Sequence, residues 1–413
     1  MNKLEKFFLK DISNSQTGPF GTQLHKEDYV TEGTPIVTVE HLGEISFNLD
    51  NLPMVSDEDK ARLSKYVLKE GDIVFSRVGS IDRCTYVSEK EDGWLFSGRC
   101  IRVRFNEKAD ARYISFYFRQ KYFKEMMLNI SVGAIMPSLN TSLMDNLPVF
   151  LPSKIIQQKI AAVLSSLDSK IELNNKINAE IEAMAKTLYD YWFVQFDFPD
   201  KDGKPYKTSG GKMVWNNELK REIPDGWKVS SLKDIVELVK GNVNPSDIKT
   251  NTPYVGLEHI GRKTIVLSDW ANSESANSDK TAFKKHDILF GKIRPYFHKV
   301  AVATFDGITS TDTIILRPKE NIYFGLALQT VFTDKFIEIA TQSSTGSKMP
   351  RADWNVLQDY KFPIPKSDLL KPFQNIFESA LNKIEISVIE NQTLSELRDW
   401  LLPMLMNGQV TVT

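Results

Sequence analysis

The stretch "TPIVTVEHLG", residues 34–43, is written again as "TPYVGLEHIG", residues 252–261, with six of ten positions identical. Other echoes keep the same order along the chain. "LKDI" at 9–12 returns at 232–235, offset 223, and "GDIVFSR" at 71–77 returns as "HDILFGK" at 286–292, offset 215. "GAIMP" at 133–137 returns as "GSKMP" at 346–350, and "KIE" at 170–172 returns at 383–385, both at offset 213. One match could be chance. Five in order, with a slowly drifting offset, mark a diverged tandem duplication with small loop insertions and deletions.

With 413 residues the chain is too long for one ordinary core, which agrees with two copies of a module. Hydrophobic residues at 41% and charged residues at 25% are the proportions of a soluble globular protein. No apolar run is long enough to span a bilayer, and the first residues lack the apolar core of a secretion signal. Two cysteines, Cys84 and Cys100, cannot build a disulfide framework, so a reducing cytoplasm is expected. The net charge of −1 argues against a bare polyanion binder. The average hides an asymmetry: residues 1–152 carry 19 basic and 21 acidic side chains, while residues 227–366 carry 19 and 15. Any nucleic-acid contact must therefore rest on local clusters or on a partner.

Each copy reads as a mixed α/β globule (α+β in character). "TPIVTVEHL" and "DIVFSRV" are β-rich runs bounded by Gly, Pro and Asp. "ARYISFYFRQKYFKEMML" and its counterpart "FGLALQTVFTDKFIEIAT" have helical spacing. Each globule closes with a short strand ending in proline, "LPVFLP" and "YKFPIP", and a long periodic segment follows. In the first, Ile160, Leu164, Leu167, Ile171, Asn174, Asn178, Ile181, Ala185, Leu188 and Trp192 fall at alternating 4/3 spacing. In the second, Phe373, Phe377, Ala380, Ile384, Ser387, Asn391, Leu394, Arg398 and Leu401 do the same. Both are heptad seams. Ser153 is placed to cap the first helix, and Pro372 is tolerable only in the first turn of the second. The polar pairs Asn174/Asn178 and Ser387/Asn391 sit mid-seam, so antiparallel pairing about a pseudo-twofold axis would bring them face to face. The alternative is two separate amphipathic helices, each on its own globule. The expected division is thus 1–152, first globule; 153–226, helix and linker; 227–366, second globule; and 367–413, second helix. Residues 194–227, rich in Gly, Pro and Lys, read as the linker.

No catalytic constellation emerges. The repeated phrase holds Glu40–His41 and Glu258–His259, but on a strand adjacent side chains point to opposite faces and cannot share an ion or a proton. Only five histidines exist, too few for many metal sites. Phosphate-loop, dinucleotide, hydrolase-elbow and zinc-protease motifs are absent. "NPSD" at 244–247 lacks the second proline and aromatic of a methyltransferase signature. Glu58 and Lys60 lie in an acidic run that reads as a solvated turn and helix start.

The stretch "LYDYWFVQFDFPDKDGKPYKTSGGKMVWNNELKREIPDGWKVSSLKDI", residues 188–235, resembles the central conserved region of the specificity subunits of type I restriction–modification systems. The end "LRDWLLPMLMNGQVTV" is similar to their distal conserved region, and "GDIVFSRVGSIDR" to a recurring phrase of their recognition domains. The resemblance covers residues 5–412. It implies two target-recognition domains, each reading half of a split double-stranded DNA target. It implies an antiparallel coiled coil that holds them apart, and no chemistry in the chain itself. The partners it implies are two methyltransferase subunits carrying S-adenosylmethionine, and it allows motor–nuclease subunits; no cofactor belongs to this chain. A helix over residues 154–193 would span about 60 Å at 1.5 Å per residue, near two DNA turns of roughly 34–36 Å.

Basic side chains beside the repeated strands are the candidate DNA contacts. Arg77 and Lys292 are equivalent, each two residues past the strand phenylalanines Phe75 and Phe290. Arg83, Arg294 and Lys299 follow them, and Lys348 and Arg351 flank the second "MP" turn. Arg102 and Arg104 share one strand face, either a DNA face or simply an exposed one. Glu40, His41, Glu258 and His259 recur in both copies, so a scaffold role fits them better than base readout. Two rival readings stay open here: a metal-dependent nuclease using those Glu and His residues, and a coiled-coil adaptor with no DNA role.

Overall fold

The computed structural model describes residues 4–20, 23–132, 137–243, 248–273 and 279–412. The chain forms two compact units. One comprises residues 1–171 with 393–413, and the other residues 172–392, so the boundary falls inside both long helices. The "GAIMP" copy lies outside the described residues except for Pro137, and "NPSD" lies outside them entirely.

In the first unit a four-stranded sheet is built from β1 (Ser13–Thr17), β2 (Ile73–Ser76), β3 (Cys84–Tyr86) and β4 (Cys100–Phe105), in the order β1-β4-β2-β3. All its pairings are antiparallel. The second unit repeats this with β5 (Val236–Leu238), β6 (Ile288–Gly291), β7 (Val300–Val302) and β8 (Thr313–Pro318), in the order β5-β8-β6-β7. A second sheet accompanies each, of four strands in the first unit and five in the second. The repeated Thr-Pro strand runs parallel to its neighbour in both units, with Ile36 opposite Leu95 and Tyr254 opposite Ile308.

The aromatic segments fold as two helices in each unit, where one was expected. These are α1 (Ala111–Arg119) and α2 (Lys121–Ile130) in the first. Gln120 separates them with an extended backbone (φ −61°, ψ 140°), and this lets Phe123 turn back and stack on Phe118 at 4.4 Å. The first long helix, α3 (Lys154–Tyr189), follows in sequence. In the second unit α4 (Phe324–Val331) and α5 (Asp334–Gln342) are divided by Thr333, whose side chain accepts from the Phe336 N–H. The second long helix, α6 (Ser367–Met406), closes the series.

The same ion pair lies inside both sheets. Asp72, fully buried, accepts from Arg104 Nε and Nη2 at 2.7 Å each, and from the Lys69 N–H at 2.8 Å. Asp287 accepts from Arg317 Nε and Nη2 at 2.8 and 2.7 Å, and from the Lys284 N–H at 2.7 Å. The aspartate recurs because it closes a turn and fixes the sheet's last strand at once.

Long helices α3 and α6 pair. Asp168 accepts from Arg119 at 2.6 Å and from Arg398 at 3.1 Å. Asn174 donates to Glu390 and Asn391 at 2.7 and 2.9 Å, and Asn391 donates to Asn175 at 2.8 Å. Ile160, Leu164, Ile171, Asn174 and Asn178 are buried in α3, as are Phe373, Phe377 and Ile384 in α6. Ala185, Trp192 and Arg398 are buried on the seam as well, while at several other positions the buried residue lies one later than the heptad reading. Asp168, Tyr189, Val388 and Leu402 are buried, while Leu167, Leu188, Ser387 and Leu401 are half-buried, like Ile181, Asn391 and Leu394. A near-straight helix advances about 20° per heptad against a 3.5-residue repeat, which moves the buried face forward.

Three further expectations change. Helix α3 has 36 residues and then winds into a π-helical turn, Asp190–Val194, so its α-helical part is about 54 Å long. Helix α6 begins at Ser367, which puts Pro372 in the second turn rather than the first. Residues 194–227 are folded rather than a loose linker. Phe198 stacks between Tyr206 at 4.6 Å and Trp227 at 5.2 Å, and a hairpin joins Met213–Asn216 to Arg221–Pro224. Aromatic burial offsets the glycine and proline content.

The Arg119–Asp168–Arg398 triad has an apolar counterpart. At the repeat offset of 213 the equivalent positions are Phe332, Leu381 and Ala185, all members of the second unit's core. Losing one partner of a buried ion pair costs about 3–5 kcal/mol, whereas replacing a whole group by well-packed apolar residues is often neutral. Asp168→Leu alone should therefore destabilise by about that amount, while Arg119→Phe, Asp168→Leu and Arg398→Ala together should restore stability; denaturant unfolding of the three chains checks this. By the same reasoning Asp72→Ala and Asp287→Ala should each lose about 3–5 kcal/mol.

Candidate nucleic-acid interface

The interface candidates lie on one loop cluster built alike in both units. The first unit brings together the loop between β2 and β3, the turn before β4, and the segment around Ser138. Arg77 N–H donates to Arg99 O at 2.8 Å, Leu139 N–H to Arg77 O at 2.9 Å, and Gly79 N–H to Pro137 O at 3.0 Å. In the second unit Lys292 N–H donates to Asp312 O at 3.0 Å, Ala352 N–H to Lys292 O at 2.9 Å, and Arg294 N–H to Pro350 O at 2.7 Å. Isolated bridges Val78–Ser138 and Ile293–Arg351 repeat as well. The backbone frame is one; the side chains on it differ. Gly79 corresponds to Arg294, Arg83 to Lys299, Arg99 to Asp312, and Ser138 to Arg351.

The structure places each basic candidate in this frame or beside it. Arg77 donates to the carbonyls of Leu139 and Gly98 at 3.3 Å and lies over the Phe20 ring at 4.5 Å. Its equivalent Lys292 donates to Thr311 O, at the same turn, at 2.7 Å. Both therefore brace the loop as well as charge it. Arg83 is exposed, as are Lys348 and Arg351, the last paired with Asp312 at 3.3 Å. Arg294 is half-buried and donates to Lys348 O at 3.3 Å. Lys299 donates to Leu257 O; burial, then the nearby Arg262, holds its ammonium below the usual lysine range. Arg102 is 5% exposed and Arg104 is committed to Asp72, so this strand face is interior scaffold rather than an exposed surface.

Several residues of this region escaped the sequence reading. Arg99 lines a groove of about 520 Å³ with Phe20, Tyr29, Glu40 and Arg77. Arg262 lies over the Phe297 ring at 4.2 Å, and Tyr296 is exposed in the same loop. Only the position of "RPYF" opposite "GSID" could have pointed to the last. The Asp72/Asp287 scaffold was more legible, since its aspartate recurs in the echoed phrases.

The Glu-His phrase is corrected in its local structure. The strand ends at Val37, and Val39–His41 forms a 3-10 turn. His41 Nδ1 accepts the Thr38 N–H at 3.0 Å, and His259 Nδ1 accepts the Gly256 N–H at 2.9 Å. Each imidazole satisfies a backbone donor three residues earlier, while Glu40 and Glu258 are exposed. Glu58 and Lys60 lie in a helix, Asp57–Arg62, the helix start the sequence implied, and Ser56 caps it. Among the described residues no group of three or more His, Cys, Asp or Glu side chains could hold a metal ion. Burial pushes the thiols of Cys84 and Cys100 up to about 12, which leaves them protonated and unreactive near neutrality.

The architecture is thus a duplicated α/β module with basic side chains on matching loops and a pair of long helices. The family model for the type I restriction modification DNA specificity domain matches residues 1–183 and 224–396, and the chain belongs to that family as a specificity subunit. The MjaIX specificity subunit of Methanocaldococcus jannaschii is 27% identical over 315 residues, covering 73% of this chain and 69% of the relative. The HindI specificity subunit of Haemophilus influenzae is 21% identical over 410 residues, covering 84% and 88%. A crystal structure of a type I S subunit from M. genitalium shares the fold, with a TM-score of 0.57, 16% identity, and coverage of 98% and 96%.

His41→Ala and His259→Ala should each cost about 1 kcal/mol, as loss of a capping acceptor does, and should leave any sequence preference unchanged. Thermal unfolding beside a DNA-selectivity assay separates the two effects.

Proposed function

We propose that the chain is the DNA-reading subunit of a type I restriction–modification complex, with each unit reading one half of a split double-stranded target. The observation that carries this is the division of labour within the duplicated frame. The scaffold residues Asp72/Asp287, Arg104/Arg317 and His41/His259 are kept, while the loop positions Gly79/Arg294, Arg99/Asp312 and Ser138/Arg351 differ. Two heads made alike and faced differently suit two different half-sites. Arg77, Arg83, Lys292, Arg294, Lys299, Lys348 and Arg351 are the proposed contacts; lysines reach phosphate and arginine forks suit guanine edges.

In this reading residues 1–152 and 227–366 are the recognition domains, and residues 153–226 and 367–413 the conserved regions between and after them. The long helices form an antiparallel coiled coil about a pseudo-twofold axis. The pairs Asp168–Arg398 and Asn174–Asn391 support it, since residue numbers rise along one helix as they fall along the other. A coil of roughly 54–60 Å would separate half-sites by somewhat under two DNA turns. Two methyltransferase subunits dock on the helices and methylate adenine with their own S-adenosylmethionine; motor–nuclease subunits join for cleavage. The exposed apolar side chains Leu173, Met184, Ile376, Ile386, Ile389 and Trp400 on these helices suit such docking. The chain itself carries no cofactor and works in the cytoplasm. Among the described residues no helix is long and apolar enough to cross a membrane.

Mapping methylated adenines in cells with and without the chain tests the proposal. A split motif should vanish on deletion, and exchange of residues 1–152 for a relative's domain should change one half only. Unchanged methylation on deletion would contradict it. With the methyltransferase-bound complex, Lys348→Ala should weaken binding to all sequences alike and reduce the salt slope by about one.

A further inference from the structure

We propose that Arg294 reads a base edge in one half of the target, and that its left-handed backbone is what aims it. This deepens the DNA-reading proposal and rests on it. Arg294 has φ +49° and ψ +61°. Its counterpart Gly79, with φ +76°, makes the equivalent hydrogen bond from its N–H. The frame therefore demands a left-handed residue here, and the first unit supplies the glycine that adopts it freely. The second unit supplies a long side chain, for which that region is disfavoured. Pro295 adds to the penalty, because a proline pushes the residue before it toward extended conformations. Glycine would be the better residue for folding alone.

The guanidinium is only partly used within the protein. Nη2 makes one long bond, 3.3 Å to Lys348 O, the guanidinium lies over the Phe297 ring at 5.9 Å, and the buried Nε has no hydrogen-bond partner among the described residues. The scaffold arginines differ, since Arg104 and Arg317 each spend a full fork on an aspartate. Asp312, in the same loop cluster, already faces Arg351 at 3.3 Å and Lys292 at 3.8 Å. What remains is the Nη1–Nη2 end of a planar group on a basic loop, the chemistry that pairs with the two acceptors of a guanine edge.

The test uses the full chain with the methyltransferase of its own system, in wild-type, Arg294→Gly and Arg294→Lys forms. Melting is measured on each chain, and methylated adenines are mapped in cells. Arg294→Gly should melt no lower than wild type. It should lose discrimination at one base pair of one half-site by on the order of ten- to a hundredfold, with the other half unchanged. Arg294→Lys, which keeps the charge and loses the fork, should relax the same position. A lower melting temperature with an even loss at all sites would make Arg294 a structural prop and overturn the inference. So would an unchanged motif, or an even loss across sequences with a shallower salt dependence, which marks a phosphate contact. If wild type itself directs no split motif, the DNA-reading proposal fails before the variants are compared.

Discussion

The buried Asp–Arg pair inside each sheet is the constraint on which the rest depends. Asp72 and Asp287 bind a backbone N–H of the turn before the central strand and both donors of an arginine on the neighbouring strand. A buried carboxylate is tolerable only when paired and hydrogen-bonded, so the turn, the two strands and their register are fixed together. The variable loops leave directly from those strands. A rigid base allows the loops to change residue by residue without moving the frame, which a protein needs when two copies of one fold must face different surfaces.

The paired helices follow another logic. Their middle is polar, with Asn174, Asn175 and Asn391 exchanging hydrogen bonds. Polar groups in a helical seam cost stability and in return fix register. Beyond the middle the two ends diverge, one holding the Arg119–Asp168–Arg398 triad and the other Phe332, Leu381 and Ala185 at the same positions. The duplication thus preserved the geometry of the pairing while its chemistry drifted apart.

Much of this was legible in the sequence, and for identifiable reasons. The duplication showed because turn-forming and buried residues such as Asp72 and Asp287 cannot vary freely. The long helices showed through their apolar spacing. The one-residue drift of the buried line did not, because a heptad template cannot tell a supercoiled helix from a straighter one. The folding of residues 194–227 was hidden by Gly and Pro content, since stacked Phe198, Tyr206 and Trp227 become a core only in three dimensions. The loop faces were least legible. Arg102 resembles a surface charge in sequence yet is buried, Arg104 is half-buried and spent on Asp72, and the left-handed backbone of Arg294 leaves no mark in composition.

The central claim is that two separate surfaces of one chain each read half of a DNA target. Equilibrium competition binding by the methyltransferase-bound complex tests it most directly, using duplexes in which the two half-sites are scrambled one at a time. The account predicts that either scramble alone removes most of the specific affinity, and that inserting a few base pairs between intact halves does the same. Full affinity for a duplex keeping a single half-site would contradict it.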